Sequence, residues 1–327
     1  MKTSIKVAGS LISLVSIAGA CSFSKEHNEE LSSSVKGQIH VFESDANGFN
    51  TKTFFYDNGS EVVAFDTQFT PGLAEQALSF LRTKTRNPIT TVVVTHPNPD
   101  KFNGISVFTK EGAKVIASEA TSKAMSDVHA YKKYYFVNIA KMFTEESYPK
   151  LAGVDLTFSG SLDLKLTNGE SIRLQELKGP GVSSTQTVAL IPSVNALVVG
   201  DLVHHNAHAW LEGGIVSGKP VPTIDAWIKD IEELTATFAE SNPTVFGGRG
   251  DEVTLEVAAA EQIKYLRKAD EIVTNYVKNL GESRDELNGA NAGVHYGKIQ
   301  AEIEAAFPAY KLAYMIQYGV YGLALSK

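Results

Sequence analysis

The pattern of apolar and polar positions changes period several times along this chain, and each change marks an element. From Val35 to Glu43 and from Lys52 to Tyr56, β-branched and aromatic residues predict strands, and Asp57-Asn58-Gly59 predicts a hairpin turn into Glu61 to Phe65. The fold therefore opens with antiparallel strands. Pro71 to Thr83 places Leu73, Ala77, Phe80 and Leu81 on one helical face, and Thr90 to Val94 is an apolar β-branched run of a buried strand. Strand, helix, strand is the signature of an α/β protein. A short helix near Ile105 to Lys110, a strand at Lys114 to Ala117 and helical text through Phe143 follow. On that helix Tyr131, Tyr135, Ile139, Met142 and Phe143 would form a stripe, read as core or lid rather than a cofactor site.

A second set of strands is expected at Val154 to Phe158, Leu162 to Leu166 and Ile172 to Leu177, with Asn168-Gly169 as the clearest hairpin. Asn195 to Val199 is a further strand and ends in a turn. Thr223 to Glu240 is an amphipathic helix with Ile224, Trp227, Ile228, Ile231, Leu234 and Phe238 facing the core. It leads to a strand at Thr244 to Phe246 and a Gly-rich turn, Gly247-Gly248-Arg249-Gly250. Leu255 to Leu280 reads as one long helix, and Tyr296 to Ala306 as another before Pro308. Apart from two βαβ-like halves there is no internal repeat.

Composition changes the picture at the N-terminus. Lys2 and Lys6 precede an apolar run from Val7 to Ala18, and Ala18-Gly19-Ala20 leads into Cys21, the single cysteine of 327 residues. This resembles a bacterial lipoprotein signal. Residues 1–20 are read as the signal peptide, and Cys21 as the lipidated first residue of an exported periplasmic or cell-envelope protein. Residues 21–34 form a polar tether, with an ordinary cleaved signal as the alternative. With one cysteine there is no disulfide. Removing Lys2 and Lys6 takes the formal charge from -7 to -9. Such an acidic protein does not invite nucleic acid or anionic lipid, so membrane contact is expected only through the lipid anchor at Cys21. The partner left open is a small molecule or another envelope protein.

The chemistry is concentrated where the Thr90 to Val94 strand ends. Thr95-His96-Pro97-Asn98-Pro99-Asp100-Lys101 presents His96, Asn98 and Asp100 in alternation with Lys101 beside them, and strand ends carrying polar clusters are where α/β proteins place their sites. The passage resembles the HxHxDH or HxHxDR loop of the metallo-β-lactamase superfamily, with Asn98 where the second His belongs. Later motifs follow in the family's order. Asp66-Thr67 closes an early strand, and Gly179 to Val188 is similar to the GPGHS passage with Val182 at the His position. Gly200-Asp201-Leu202 is similar to the GDL passage, and Val245 to Gly250 to the passage carrying the last zinc ligand, with Arg249 in place of His.

The resemblance implies an αββα sandwich of two mixed sheets flanked by helices over residues 35–251, with a helical C-terminal extension, 252–327, packed on it. It also implies two zinc ions that would activate a hydroxide. By position, His96, Asp100 and Asp201 are the metal ligands that remain, and Asp66 would support the loop from behind, or else serve as a helix N-cap or turn residue. His204, His205 and His208 follow Asp201 and are read either as replacement ligands or as packing histidines. His204 and His208 share a face if the turn there is helical. Neither zinc site is intact. Two cations, Lys101 and Arg249, stand where they can neutralise Asp100 and Asp201 in place of a metal.

The favoured expectation is a pseudoenzyme or binding protein without a cofactor. The alternative is a hydrolase of an ester, lactone or amide with an altered or mononuclear site holding one zinc. A third, metal-free acid-base chemistry, would use His96 or Asp100 as base and Arg249 as an oxyanion donor. Fold alone does not imply β-lactam hydrolysis.

Overall fold

The computed structural model describes residues 37–327. The signal, the tether and Cys21 lie outside the described residues.

The first sheet contains β1 (Gln38–Glu43), β2 (Lys52–Asp57), β3 (Val62–Phe65), β4 (Ile89–Val93), β5 (Lys114–Ser118) and β6 (Leu156–Phe158), in that order. β1, β2 and β3 run antiparallel, whereas β3 to β6 are parallel. Parallel neighbours need crossovers, and helices supply them. α1 (Pro71–Arg82) joins β3 to β4, α2 (Pro99–Phe102) and α3 (Ile105–Lys110) join β4 to β5, and α4 (Glu119–Tyr134) lies between β5 and β6. The start of α1 is fixed locally, since the Thr70 hydroxyl accepts from the Leu73 amide at 3.2 Å and Pro71 occupies the first turn. Leu73, Ala74, Ala77 and Leu81 are its buried face.

The second sheet is formed by β7 (Ser161–Lys165), β8 (Ser171–Glu176), β9 (Thr187–Ile191) and β10 (Ala196–His205), followed beyond a small hairpin, β11 (Gly214–Val216) and β12 (Lys219–Val221), by β13 (Thr244–Gly250) and β14 (Val253–Thr254). Only β10 and β13 are parallel, connected through α5 (Ile224–Thr237). Phe54, Phe65, Val93 and Ile116 of the first sheet share a core with Ile172, Leu174, Ala189 and Val198 of the second. Each Val, Leu, Ile or Phe side chain fully buried there contributes about 1.5–3 kcal/mol. α1 and α3 cover the outer face of the first sheet. The far face of the second is covered by α5, α6 (Leu255–Leu280), α7 (Ala292–Ala306) and α8 (Tyr314–Leu325). The result is an αββα sandwich of two mixed sheets with a helical C-terminal region. No helix among the described residues is long and apolar enough to cross a membrane.

Several local expectations change. Leu156–Phe158, read with the second set of strands, instead pairs with β5 at the edge of the first sheet. The helix read through Phe143 ends at Tyr134 and passes into a π turn, Tyr135–Ile139, whose extra residue rotates the apolar stripe. Phe136 and Lys132 become the buried positions, while Ile139 and Met142 are exposed. The turns expected after Val199 and Phe246 are continued strand, because β10 and β13 pair as far as His205 and Gly250. His204 and His208 therefore share no helical face. α8 was not foreseen.

Candidate active site

The site lies where one end of each sheet meets the other. β4 delivers Thr95 and His96, and Asn98 then starts α2 with Pro99 in the first turn, so that Asp100 and Lys101 follow on consecutive helical positions. β10 carries Asp201 and His204, and β13 carries Arg249. His96, Lys101, Asp201, His204 and Arg249 are all buried, none more than 3% exposed.

Two carboxylates and two cations alternate around a closed ring. Lys101 Nζ lies 2.9 Å from Asp100 Oδ2 and 2.8 Å from Asp201 Oδ1. Arg249 Nη2 donates to Asp100 Oδ2 at 3.0 Å, and Nη1 to Asp201 Oδ2 at 2.6 Å. The remaining guanidinium donors are also used: Nε donates to the Phe49 carbonyl at 2.7 Å and Nη2 to Thr51 Oγ1 at 2.9 Å. Thr51 in turn donates to Asp100 Oδ2 at 2.8 Å. Burial of this kind costs several kcal/mol per ion unless every charge is paired, and here each is paired twice.

The proton affinities follow from this arrangement. Burial pushes Asp201 upward, but Arg249 and Lys101 outweigh it and hold the carboxyl well below the ordinary range. Asp100 is likewise raised by burial and overruled by Lys101 and Arg249, which bring it down to about 2. Burial lowers Lys101 while Asp100 and Asp201 raise it, and the carboxylates prevail. The ring stays fully ionised through the neutral range.

Behind it, Asp66 closes β3 in a left-handed conformation, φ 62°. It accepts from the Thr95 amide at 2.9 Å and from the Thr95 hydroxyl. That hydroxyl has one proton to give, so its oxygen accepts from His96 Nδ1 at 3.0 Å. His96 Nε2 is thereby directed at Asp201 Oδ2, 3.6 Å away, and has no hydrogen-bond partner. His204 Nε2 approaches Asp201 Oδ1 at 3.5 Å from the other side, again without a hydrogen bond. Burial pushes Asp66 up to about 6 against the pull of Lys101 and His96, and depresses His204. Gly248 is required by the ring: a Cβ there would stand 2.0 Å from Asp201 Oδ1 and 3.0 Å from Lys101 Nζ.

The other sequence-derived positions are placed differently. Val182 packs in the apolar cluster under α5. His205 turns toward Glu261, with Nδ1 2.9 Å from Oε2, and His208 toward the Tyr265 hydroxyl at 3.3 Å. Neither of the last two contacts Asp100 or Asp201. Asn98 lines a small cleft above the ring, with a volume of about 20 Å³ that holds about one water, but makes no side-chain hydrogen bond among the described residues.

The rest of that cleft was not legible in the sequence. Its wall is Phe49, Phe69, Phe136, Trp210 and Met315, and Lys132 enters it from α4. Lys132 forms a buried ion pair with Glu212 and lies over the Trp210 ring, 4.7 Å from its centroid. The only sequence signal was a lysine within an aromatic helical stretch.

Residues 46–249, more than half of the chain, match the profile of the metallo-β-lactamase superfamily. The chain belongs to that superfamily. Among solved structures it is similar to a metallo-β-lactamase from Pontibacter korlensis, at 18% identity and a TM-score of 0.53, over 72% of this chain and 96% of that one. It is also similar to a metallo-β-lactamase from Erythrobacter litoralis, at 14% identity and a TM-score of 0.51, over 71% and 93%. These likenesses speak for the fold. None of the curated proteins matches the chain.

Superfamily membership raises the question of zinc, and the donor set does not fit it. The place a metal would take between Asp100 and Asp201 is spanned by the Lys101 ammonium and the Arg249 guanidinium, neither of which can donate a lone pair. Val182 offers no ligand at all. Among the described residues, no cluster of three or more His, Cys, Asp or Glu is arranged to hold a metal ion.

Proposed function

We propose that this chain is a metal-independent member of its superfamily whose cleft binds a ligand instead of hydrolysing one through zinc, that is, a pseudoenzyme acting as a binding protein. The observation that carries the reading is the double bridge of Lys101 and Arg249 across Asp100 and Asp201. A divalent ion entering there would meet two fixed positive charges at hydrogen-bond distance from its own ligands, and both would have to leave. The lipoprotein-like sequence at Ala18 to Cys21 supports an exported protein tethered by lipid, with its ligand drawn from the cell envelope.

The experiment is a metal count. The chain from Cys21 onward, purified without a His tag and dialysed against a slight excess of Zn²⁺, is expected to retain far less than one equivalent by elemental analysis. One or two equivalents, lost in Asp201→Ala, would overturn the reading and put a zinc-dependent ester, lactone or amide hydrolase in its place.

A further inference from the structure

A second concavity forms where the chain beyond β10 meets the turn between α7 and α8, and it shares no lining residue with the cleft at the ring. It is a surface hollow of about 380 Å³ lined by His208, Glu304, Phe307, Pro308 and Tyr310 among alanines, a volume in the range of small-molecule sites. Its floor is firmly built. Tyr310 stacks on the fully buried Tyr265, 16° from parallel with centroids 5.7 Å apart, and Phe307 packs on Tyr310 at 5.0 Å. The His208 amide is fixed by the Lys311 carbonyl at 2.9 Å. Because these rings already pack on one another, a ligand rests on them from the hollow, not between them.

One polar group in that floor is held in place yet unspent. His208 is 1% exposed, and burial keeps its imidazole neutral near pH 7, so a single ring nitrogen carries a proton. Tyr265 decides which one. Its buried hydroxyl accepts from the Ala209 amide at 3.3 Å, and the acceptor for its own proton among the described residues is His208 Nδ1, also at 3.3 Å. Nδ1 therefore accepts and Nε2 bears the proton. The ring lines the hollow, and its Nε2–H has no partner among the described residues. The hollow is also negative. Glu304 is the charged side chain that lines it, and Oε1 is met by a neutral donor, Gln300 Nε2, at 2.5 Å. α7 ends here with no basic residue in its last turn, so the partial negative charge of its carbonyl end adds to Glu304. Lys311, beside Tyr310, is turned to Asp251 at 2.8 Å.

The geometry points to this hollow as a binding site for a small organic ammonium ion that carries a hydroxyl or carbonyl oxygen close to its charge. The cation lies against Tyr310, with Phe307 beside it and Glu304 as counter-ion, and aromatic rings next to a carboxylate are suited to such a charge. The oxygen accepts from His208 Nε2. Tyr265 is a positioning residue, acting through the proton it gives to Nδ1. The site is separate from the ring of Asp100 and Asp201 and stands whether or not a metal binds there.

Three probes separate the parts of this inference: choline, its uncharged isostere 3,3-dimethyl-1-butanol, and tetramethylammonium, which lacks the hydroxyl. Each is titrated by calorimetry into the chain from Cys21 onward. Choline is expected to bind about tenfold or more tightly than the isostere, and Glu304→Gln, a change at a half-buried position, to remove most of that advantage. Choline is also expected to bind more tightly than tetramethylammonium in the parent chain and no more tightly in His208→Leu. The comparison of the two cations in the parent chain stands even where that variant fails to fold. No binding of choline, equal or tighter binding of the isostere, equal binding of tetramethylammonium, or choline affinity unchanged in Glu304→Gln each overturns the inference.

Discussion

Arg249 and Asp201 sit on the two parallel strands of the second sheet, and Nη1 of one meets Oδ2 of the other at 2.6 Å with both side chains 2% exposed. The same guanidinium holds Asp100 on α2, which follows β4 of the first sheet, and the Phe49 carbonyl between β1 and β2, so one side chain ties the loops of the first sheet to the second at the site. Arg249→Ala would leave two buried carboxylates with Lys101 as their only cationic neighbour in the ring. The expected loss is about 3 to 5 kcal/mol of unfolding free energy, since breaking a buried pair strands a charge. Urea denaturation measures it, and an unchanged midpoint would show that the ring does not hold the fold. In Asp201→Asn/Arg249→Met, part of the loss should return through a favourable coupling of about 1 kcal/mol or more.

Gly248 gives a steric test of the same ring. With Asp201 Oδ1 2.0 Å from the position of an added Cβ, Gly248→Ala must displace either the carboxylate or β13. A destabilisation of about 1 to 3 kcal/mol is expected, as for overpacking elsewhere. Gly153 meets nothing within 4 Å, so Gly153→Ala serves as control and should change stability by less than about 1 kcal/mol. Equal effects of the two substitutions in a thermal melt would remove the steric argument.

Chelation separates a charge-stabilised fold from a metal-stabilised one. Where a metal organises a site, its binding energy is folding energy and a chelator lowers the melting temperature. With Lys101 and Arg249 supplying the positive charge, melting temperatures in excess EDTA and in excess Zn²⁺ should agree within about 1 °C. A rise with Zn²⁺ that Asp201→Ala abolishes would contradict this account.

How much of this was readable beforehand depended on whether the signal was local. Leu255–Leu280 was legible to the residue because its apolar positions keep helical spacing against charged neighbours. α8 was not, since Tyr314–Leu325 is apolar almost throughout and is interrupted by Gly319 and Gly322. Without polar contrast there is no face to detect. Those glycines have a packing role: Cβ atoms there would come within 2.6 Å of the Leu211 amide and 2.1 Å of the Glu212 carbonyl. At the site, His96, Asp100, Asp201 and Arg249 were findable from motif order. The pairing of Lys132 with Glu212 was not, because its partners lie 80 residues apart and meet only once α4 packs beside the hairpin of β11 and β12. The π turn after Tyr134 removed the remaining clue by rotating Phe136 inward in place of the foreseen stripe.

His208, one of three histidines that follow Asp201, has a different consequence from the metal role its position suggested. Its ring packs against both Tyr265 and Tyr310, with centroids 5.6 Å from each, beside a surface hollow formed with Phe307 and Pro308. Burial depresses it to about 4, and Glu304 opposes this only in part. Unfolding returns it to an ordinary histidine value near 6.5. Between these values the unfolded chain binds more protons than the folded one, so stability present above pH 6.5 is lost as pH falls toward 4. Discounting for solvent reaching the hollow, the loss assignable to this residue is roughly 1 to 2 kcal/mol. His208→Gln cannot take up the proton, so unfolding free energies measured at pH 7 and pH 4.5 should differ less in the variant than in the parent chain. Identical pH dependence in the two proteins would mean that other groups govern acid sensitivity.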